Sequence, residues 1–488
     1  MFGPDLVRAF ADFKDLWDPT GVMNPGKIVR AARPDQHLRL GTDHQPAAVA
    51  TTFAFSADDG SMARATQRCV GVGRCRRTDG GTMCPSYMVT LEEVHSTRGR
   101  AHLLWELLNG EEIDDGWRSS EVAESLDLCL SCKGCKHDCP VDVDLATYKA
   151  EFLSHHYARR LRPRPAYAMG LIAWWARIAS RAPRLVNRLA SVPVLHRALT
   201  SAAGLTDERP VPTFSRRTLR RRLAGRPVAG RASGAVPKRT GSRGRVLLWL
   251  DTFTDHFDAE IGVAAVEALE ALGFEVVLPR STRCCGRPLY DYGMLTLARR
   301  WLEGIVDDLR DEIRSGTPVV VLEPSCLAVF RDELTELLPH DHDARRLAAQ
   351  TYGLAELVGR HVDLDDLAAG SGPDVLYHPH CHQQAVVGTD ADHALLAALG
   401  CEVTDSEAGC CGLAGSFGFE AEKYDVSVAI GERKLAPMVR DLGTDAVVVA
   451  DGFSCRTQVA DLTGRRPRHV AELLRDRVAP SRREEHDA

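Results

Sequence analysis

The chain has 488 residues, of which 44% are apolar and 26% charged, and its formal net charge is -6. This composition is typical of a soluble globular protein with two or three domains, and so mild a charge excludes an obligatory polyanion as partner of the whole chain. Fifteen clustered cysteines in a chain of this length exclude a secreted disulfide scaffold and favour metal ligation in a reducing compartment.

Residues 1–40 begin with an amphipathic helix and continue into a segment rich in turns. Leu6, Phe10 and Phe13 recur at helical spacing, and the string DPTGVMNPGKI follows. This string resembles the last turn of FAD-linked oxidases of the vanillyl-alcohol oxidase type, where DP-x-G-x-x-NPGK closes the flavin-bearing half. The resemblance implies the tail of a FAD-linked oxidase domain, with FAD itself on a missing N-terminal half or a partner subunit. An ordinary tight turn is the alternative.

The string CLSCKGCKHDCP, from Cys129 to Pro140, dominates residues 60–155. It reads C-x2-C-x2-C-x3-C-P, the run that holds an iron–sulfur cluster in bacterial-type ferredoxins. Short gaps let three thiolates close on one cluster, and the fourth cysteine ligates the other cluster in two-cluster proteins. We therefore predict a mainly α-helical, ferredoxin-like dicluster domain. Zinc is the alternative, although zinc sites usually pair two C-x2-C knuckles or add histidine.

A second, irregular run of cysteines precedes this motif, and the exchange of fourth ligands divides all seven into two sets. The set that fits a complete [4Fe-4S] cluster is Cys84, Cys129, Cys132 and Cys135; the other is Cys69, Cys75 and Cys139. Val72 stands at the second ligand position of the incomplete set, which predicts [3Fe-4S] or a [4Fe-4S] with a non-cysteine ligand. This site resembles the valine- or isoleucine-substituted site of succinate dehydrogenase iron–sulfur subunits.

Three polar residues after the irregular run could ligate a cluster or screen its charge. His95 is the nearest non-cysteine ligand, or alternatively it caps or packs within the HSTRGRA string. Arg98 and Arg100 either screen the negative charge of the clusters or lie on a solvated helix face.

Residues 156–244 are basic, with scattered prolines. An amphipathic helix carries Trp174 and Trp175, and residues 216–245 predict a flexible basic linker. A basic helix with tryptophan favours peripheral contact with the inner face of an anionic membrane, near a quinone pool, or covers its own protein. Nucleic-acid binding is not expected, because no stacking platform accompanies the charge. Since no signal-peptide pattern or membrane-spanning run occurs, we expect a cytoplasmic protein.

From residue 245 the pattern becomes α/β and occurs twice, over residues 245–340 and 372–478. Each copy has a tight CCG loop between strands and helices, and its cysteines are expected beyond strand ends and at helix N-termini. They are Cys284, Cys285 and Cys326 in the first copy, and Cys381, Cys410, Cys411 and Cys455 in the second. Cys401 stands apart from these motifs and is expected as a buried apolar residue.

The two copies resemble the CCG cysteine-rich domain of the heterodisulfide reductase B-subunit type, found also in glycolate and lactate oxidase iron–sulfur proteins. That family's pattern is a cysteine, then CCG, then C-x2-C. Gly452 replaces one cysteine of the second copy, whereas Asp251 and Glu323 replace two in the first. The resemblance implies a CCG-bound cluster, with a more complete ligand set in the second copy. A zinc site is the alternative, for which His380 and His382 are available.

The order of these parts resembles the C-terminal half of FAD- and iron–sulfur-dependent D-2-hydroxyacid dehydrogenases, which act on D-lactate, D-2-hydroxyglutarate or glycolate. The strings MCPSYM, HSTRGRA, CLSCKGCKHDCP, EPSC and AGCCG carry the resemblance. It implies an oxidoreductase acting on CH–OH groups, in which this chain relays electrons from FAD to a quinone or an electron carrier. No catalytic residue and no FAD site is visible in the chain itself. The alternatives are heterodisulfide-reductase chemistry at the CCG site and a zinc-stapled, non-redox interaction module.

Overall fold

The computed structural model describes residues 2–33, 35–36, 40–41, 44–109, 112–229, 243–367 and 370–479. The chain divides into two units, Met1–Ala47 and Ala48–Ala488. In the first unit, helix α1 (Pro4–Trp17) forms where the helical spacing predicts it, and none of its residues is buried. The turn after it is organised by the Asp18 carboxylate, which accepts backbone N–H groups from Val22 and Met23 at 2.8 and 2.9 Å.

The cysteine runs of the second unit lie in loops between short helices. These helices are α2 (Met62–Gln67), α3 (Pro85–Thr90), α4 (Thr97–Asn109), α5 (Ser120–Asp127), α6 (Gly134–Asp138) and α7 (Leu145–His156). Leu104, Leu126 and Phe152 belong to the buried core on which the helices pack. The cysteine loops depend on unusual backbone, since Ser131 and Lys133 have φ angles of 52° and 57°. Such left-handed residues bend the chain sharply between successive cysteines.

The basic segment folds into helices that pack on the rest of the unit. They are α8 (Arg164–Ala168), α9 (Ile172–Ala179), α10 (Pro183–Ala190), α11 (Pro193–Ala203) and α12 (Leu219–Arg222). Leu219 and Leu223 are buried in the core of the following sheet, so the prediction of a flexible linker is wrong for residues 216–229. Residues 230–242 of that predicted linker lie outside the described residues. Among the described residues, no helix has the length and apolar character that crossing a bilayer requires.

Two parallel sheets follow. The first has strands β1 (Arg245–Leu248), β2 (Glu275–Val277), β3 (Val319–Val321) and β4 (Thr351–Gly353) in the order β2-β1-β3-β4. The second has β5 (Asp374–Tyr377), β6 (Glu402–Asp405) and β7 (Val447–Val449) in the order β6-β5-β7. Val246 pairs with Val276, and Val375 pairs with both Val403 and Val447. Apart from the exposed Arg245 at its start, β1 is a run of buried aliphatic residues, as is β3, which parallel sheets covered on both faces require.

Helices cover both sheets. With the first sheet are α13 (Thr252–His256), α14 (Ala259–Ala271), α15 (Arg287–Tyr290), α16 (Leu295–Asp308), α17 (Arg310–Ser315), α18 (Pro324–Ala328), α19 (Leu334–Leu337), α20 (His342–Ala349) and α21 (Leu354–His361), with a π-helical turn at Val329–Glu333. With the second are α22 (Cys381–Val386), α23 (Asp390–Ala398), α24 (Tyr424–Arg433), α25 (Leu435–Asp441), α26 (Phe453–Thr463) and α27 (Val470–Val478). Single 3₁₀ turns of the second unit are Ser56–Asp58, Arg74–Arg76, Glu93–His95, Gly116–Arg118, Leu364–Leu367, Phe417–Phe419 and Ala421–Lys423.

The two copies share one apolar core, which contains Leu248 and Val320 of the first sheet and Val375 and Val449 of the second. Because the cores merge, the loops that follow the strands of both copies are brought together. The cysteines of the CCG motifs lie in these loops or in the helix turns after them.

Candidate metal centres

The four cysteines predicted to form a complete cluster set are all buried. Burial and then the Asp144 carboxylate raise the pKa of the Cys135 thiol well above its ordinary value, and smaller contributions come from Cys132 and Cys129. Hydrogen bonding with Cys410 and then burial raise the pKa of Cys132 well above its ordinary value, and Cys84, which arrives from the N-cap of α3, adds a smaller contribution. The backbone N–H of Leu145 donates to Cys135 Sγ at 3.4 Å. The structure thus gathers these thiols in a buried place where an N–H group already faces sulfur.

Arg100 is a buried cation within this set, since only 1% of it is exposed. Its Nη1 donates to Cys84 Sγ at 3.2 Å, its Nη2 to Ser86 Oγ at 3.0 Å and its Nε to the Ser125 carbonyl at 2.8 Å. The alternative of a solvated helix face is therefore wrong for Arg100. Arg98 differs, because its backbone N–H donates to Cys75 Sγ at 3.3 Å while its side chain pairs with Glu93 at 2.7 Å.

Replacing Arg100 by methionine is expected to make the reduction potential of the neighbouring cluster more negative. A charge-assisted hydrogen bond is worth about 1.5–3 kcal/mol, which corresponds to a shift of about 60–130 mV for one electron. An EPR-monitored redox titration measures the shift. Arg98→Met is the matched control, because the backbone N–H that meets Cys75 remains. An equal shift in both variants would contradict a specific role of Arg100.

The incomplete set is more exposed. Cys75 is buried, whereas Cys69 and Cys139 are half-buried. Burial raises the pKa of Cys75, and Cys84 and Cys69 raise it further, so Cys75 lies near both. Val72 is 61% exposed. His95 Nδ1 lies 2.9 Å from Thr90 Oγ1, a local contact that agrees with the alternative in which His95 packs within its own segment.

The thiols of the second copy form a continuous buried chain that extends into the dicluster loop. Cys410 contacts Cys132, Cys381 and Cys411, and Cys411 contacts Cys455. Hydrogen bonds with Cys410 and then Cys455 lower the pKa of Cys411 well below its ordinary value. The approach of Cys132 to Cys410 joins two motifs that are far apart in sequence, and no local pattern predicts it.

Close backbone packing makes this approach possible. Gly409, just before Cys410, has a φ of 67°, and a Cβ built on it would lie 2.5 Å from the Gly81 carbonyl oxygen. Gly81 follows Gly80 and stands three residues before Cys84. The two cysteine loops therefore meet backbone to backbone, where no larger residue fits.

His378 is a candidate ligand that the sequence analysis missed. Its ring nitrogen and the sulfur atoms of Cys411 and Cys455 lie within 4.8 Å of one another. Nδ1 meets Ser406 Oγ at 2.9 Å, and Nε2 is buried without a partner among the described residues. A histidine held at one nitrogen and unpartnered at the other fits a metal centre. The only hint in the sequence was the HPHCH string, where His378 comes first.

His380 and His382, the zinc ligands that the sequence offered, have other partners. His382 Nε2 donates to the Ser131 carbonyl at 2.9 Å, and its backbone N–H donates to His380 Nδ1 at 3.1 Å. Gly452 explains the position of His380, because a Cβ at this residue would lie 2.2 Å from His380 Cδ2. The His380 imidazole therefore lies against Gly452, the position at which the cysteine-rich pattern has a cysteine that this chain lacks.

The first copy combines three thiols with two buried carboxylates. Cys285 Sγ lies 2.9 Å from Cys326 Sγ, and Cys284 contacts Cys285. Burial and then Glu323 raise the pKa of Asp251 to about 6, and Asp251 Oδ2 has no partner among the described residues. Glu323 Oε2 instead accepts the backbone N–H of Phe453 at 2.9 Å and thus bridges the copies.

Cys326 and Cys455 lie in the first turns of helices α18 and α26, which agrees with the expectation of helix N-termini. Cys401 is half-buried, not fully buried, beside the shared core. Both copies nevertheless present their thiols where strand and helix meet.

Comparison with known protein families and relatives agrees with this arrangement. Residues 65–143 match the 4Fe-4S dicluster domain, and residues 252–331 and 375–460 each match the cysteine-rich domain. The chain is 26% identical over 97% of its length to D-2-hydroxyglutarate dehydrogenase of Escherichia coli (strain K12), and covers 49% of that protein. It thus spans about half the length of the D-2-hydroxyglutarate dehydrogenases that it matches.

Two shorter relatives cover parts of the chain. One of the subunits of the anaerobic glycerol-3-phosphate dehydrogenase of Escherichia coli (strain K12) is 29% identical over 60% of this chain, which covers 72% of that protein. Lactate utilization protein A of Bacillus subtilis (strain 168) is 27% identical over 48% of this chain, which covers 100% of it. The chain therefore carries an iron–sulfur dicluster domain followed by two copies of the cysteine-rich domain.

Proposed function

We propose that this chain is the electron-transfer part of a flavin-dependent D-2-hydroxyacid dehydrogenase, an oxidoreductase acting on CH–OH groups. The flavin and the site of hydroxyacid oxidation belong to a domain or subunit outside this chain. The similarity to D-2-hydroxyglutarate dehydrogenases over 97% of the chain supports this class of substrate. The observation that carries the proposal is the buried line of thiols from the dicluster loop, at Cys132, to Cys410, Cys411 and Cys455.

The residues of the chain fit iron–sulfur clusters at three places. The complete set fits [4Fe-4S] and the Val72 set fits [3Fe-4S], while the thiols of the second copy, with His378, fit a further centre. When bound, such clusters accept and release single electrons. The protein buries the thiols, directs Arg100 and the Leu145 N–H at sulfur, and excludes water from the path.

Anaerobic reconstitution with iron and sulfide, followed by an EPR-monitored redox titration, tests the proposal. We expect a brown protein, a near-isotropic signal of [3Fe-4S] in the oxidised state, and further signals on reduction. D-2-hydroxyglutarate alone should leave the clusters oxidised. A colourless protein without sulfide would favour the zinc-stapled module. Turnover of the hydroxyacid without a flavoprotein, or efficient reduction of disulfides, would also contradict the proposal.

We also propose that helices α9–α11 bind an anionic membrane surface. Val194 and Leu195 of α11 are 75% and 45% exposed, Trp175 of α9 is 50% exposed, and α10 has no buried residue. Arginines are interspersed among these apolar residues, so the charge complements anionic lipid. Trp174 is partly covered by Trp301, at 5.9 Å between ring centroids, and contributes less.

The double variant Val194→Asp/Leu195→Asp is expected to bind vesicles of anionic phospholipid at least tenfold more weakly. Two exposed aliphatic side chains would no longer enter the acyl region, where each contributes about 1–2 kcal/mol. Co-sedimentation with vesicles measures the loss. Leu91→Asp, at a 62% exposed leucine of the dicluster domain, should bind normally. Equal binding by all three proteins would contradict the assignment of this surface.

A further inference from the structure

A partly open cavity lies where the two cysteine-rich copies meet the dicluster loop and helices α9 and α11. It has a volume of about 140 Å³ and mostly apolar walls. Phe253 of the first copy and Phe453 of the second stack on each other in its wall with ring centroids 4.8 Å apart, and Ile172 contributes from α9. An apolar cavity of about 150 Å³ holds one benzene ring. The space is therefore large enough for one six-membered ring.

The wall also carries polar side chains, among them Arg287 and Glu323, and its two histidines supply one further hydrogen-bond donor and one acceptor. His380 Nδ1 accepts the backbone N–H of His382, so the proton of its neutral ring is on Nε2. His382 has the opposite arrangement, because its Nε2 donates to the Ser131 carbonyl. Its Nδ1 is therefore an acceptor, and it is buried without a partner among the described residues. The centroids of the His380 and His382 rings are 5.1 Å apart.

The same cavity touches both sets of thiols through which electrons are proposed to pass. Cys381 of the second copy lines it directly. Leu130 and Ser131 also line it, and both stand between Cys129 and Cys132 in the dicluster loop. A ring in this space would be in contact with the cysteine-bearing loops of both centres.

The wall formed by the basic segment has an apolar outer face as well. Helices α9 and α11 contribute Ile172 and Thr200 to the cavity, while Trp175 and Val194 of the same helices are exposed. A lipophilic molecule on this outer face would be one helix away from the cavity.

We propose that this cavity binds the ring of a benzoquinone electron acceptor, with His380 Nε2–H donating to one carbonyl oxygen and His382 Nδ1 accepting from the reduced hydroxyl. The reaction at this site rests on the proposed function, because its two electrons come from hydroxyacid oxidation at the flavin. Two protons from solvent complete the change of both carbonyls to hydroxyls, so the quinone becomes a quinol. Binding itself requires no electron supply and is testable separately.

Isothermal titration of decylubiquinone into the reconstituted, oxidised protein measures that binding. Ile172→Trp fills the cavity and is expected to weaken binding at least tenfold, whereas Ile178→Trp, on the exposed face of α9, should not. His380→Asn keeps an acceptor for the His382 N–H but removes Nε2–H, and should weaken binding about tenfold.

Equal binding of decylubiquinone by wild type and Ile172→Trp, or by wild type and His380→Asn, would overturn the inference. Reduction of a soluble one-electron dye by the prereduced protein separates this failure from failure of the proposed function. If the dye is reduced at the normal rate but no quinone binds, only the inference fails. If clusters do not assemble, the proposed function fails first.

Discussion

Replacing Cys84 by alanine is expected to remove one complete cluster, so that about four iron and four sulfide ions per chain are lost. The physical reason is that Cys84 is the one member of its set that comes from a distant segment, at the N-cap of α3. The other three follow one another within the dicluster loop and cannot supply a fourth thiolate. Iron and sulfide analysis of anaerobically reconstituted protein measures the loss, and EPR shows which signal disappears.

Cys401→Ala is the matched control for this experiment. Cys401 is half-buried beside the shared apolar core, and we expect its replacement to leave iron, sulfide and all EPR signals unchanged. The near-isotropic [3Fe-4S] signal should survive in Cys84→Ala. Its selective loss would show that Cys84 serves the centre of Cys69 and Cys75, to which it is also close, and would contradict the exchange of fourth ligands.

Replacing Lys133 by methionine is expected to lower the free energy of unfolding by about 3–5 kcal/mol, the usual cost of leaving buried charges without their partner. Only 1% of the Lys133 side chain is exposed, and its Nζ lies 3.0 Å from Asp144 Oδ2, 2.7 Å from Asp332 Oδ2 and 3.3 Å from Glu333 Oε1. The ammonium thus joins the dicluster loop to the first cysteine-rich copy. Although burial opposes it, Lys133 holds the pKa of Asp144 well below its usual range. Urea unfolding of the reconstituted protein, followed by far-UV circular dichroism, measures the change.

Lys136→Met is the control, because it removes a neighbouring cation that contacts the same carboxylates. Its Nζ lies 2.6 Å from Asp332 Oδ1, but its side chain is 34% exposed, so water replaces the lost partner. We expect a change within about 1 kcal/mol. Adding Asp332→Leu to Lys133→Met should restore part of the stability, since one uncompensated carboxylate is then gone. A similar loss in both single variants would show that exposure does not govern the effect.

Local spacing explains why the dicluster run and the two CCG loops were predictable. A C-x2-C-x2-C-x3-C-P run describes ligands within a few turns of backbone, and it needs no knowledge of the rest of the fold. The domain matches at residues 65–143, 252–331 and 375–460 confirm these predictions. The alternating strand and helix patterns likewise follow from the burial of each element by itself.

Contacts between segments far apart in the chain required the three-dimensional structure. Nothing near Cys132 in the sequence indicates that it meets Cys410, and nothing in HPHCH distinguishes His378, at the thiols, from His380, at the cavity. The packing of residues 216–229 was misjudged for a related reason, and only the burial of Arg100 decided between its two alternatives. A charged or basic string is expected to be solvated unless a buried partner is known. Here the partners belong to distant segments, which meet only when the separate cores merge.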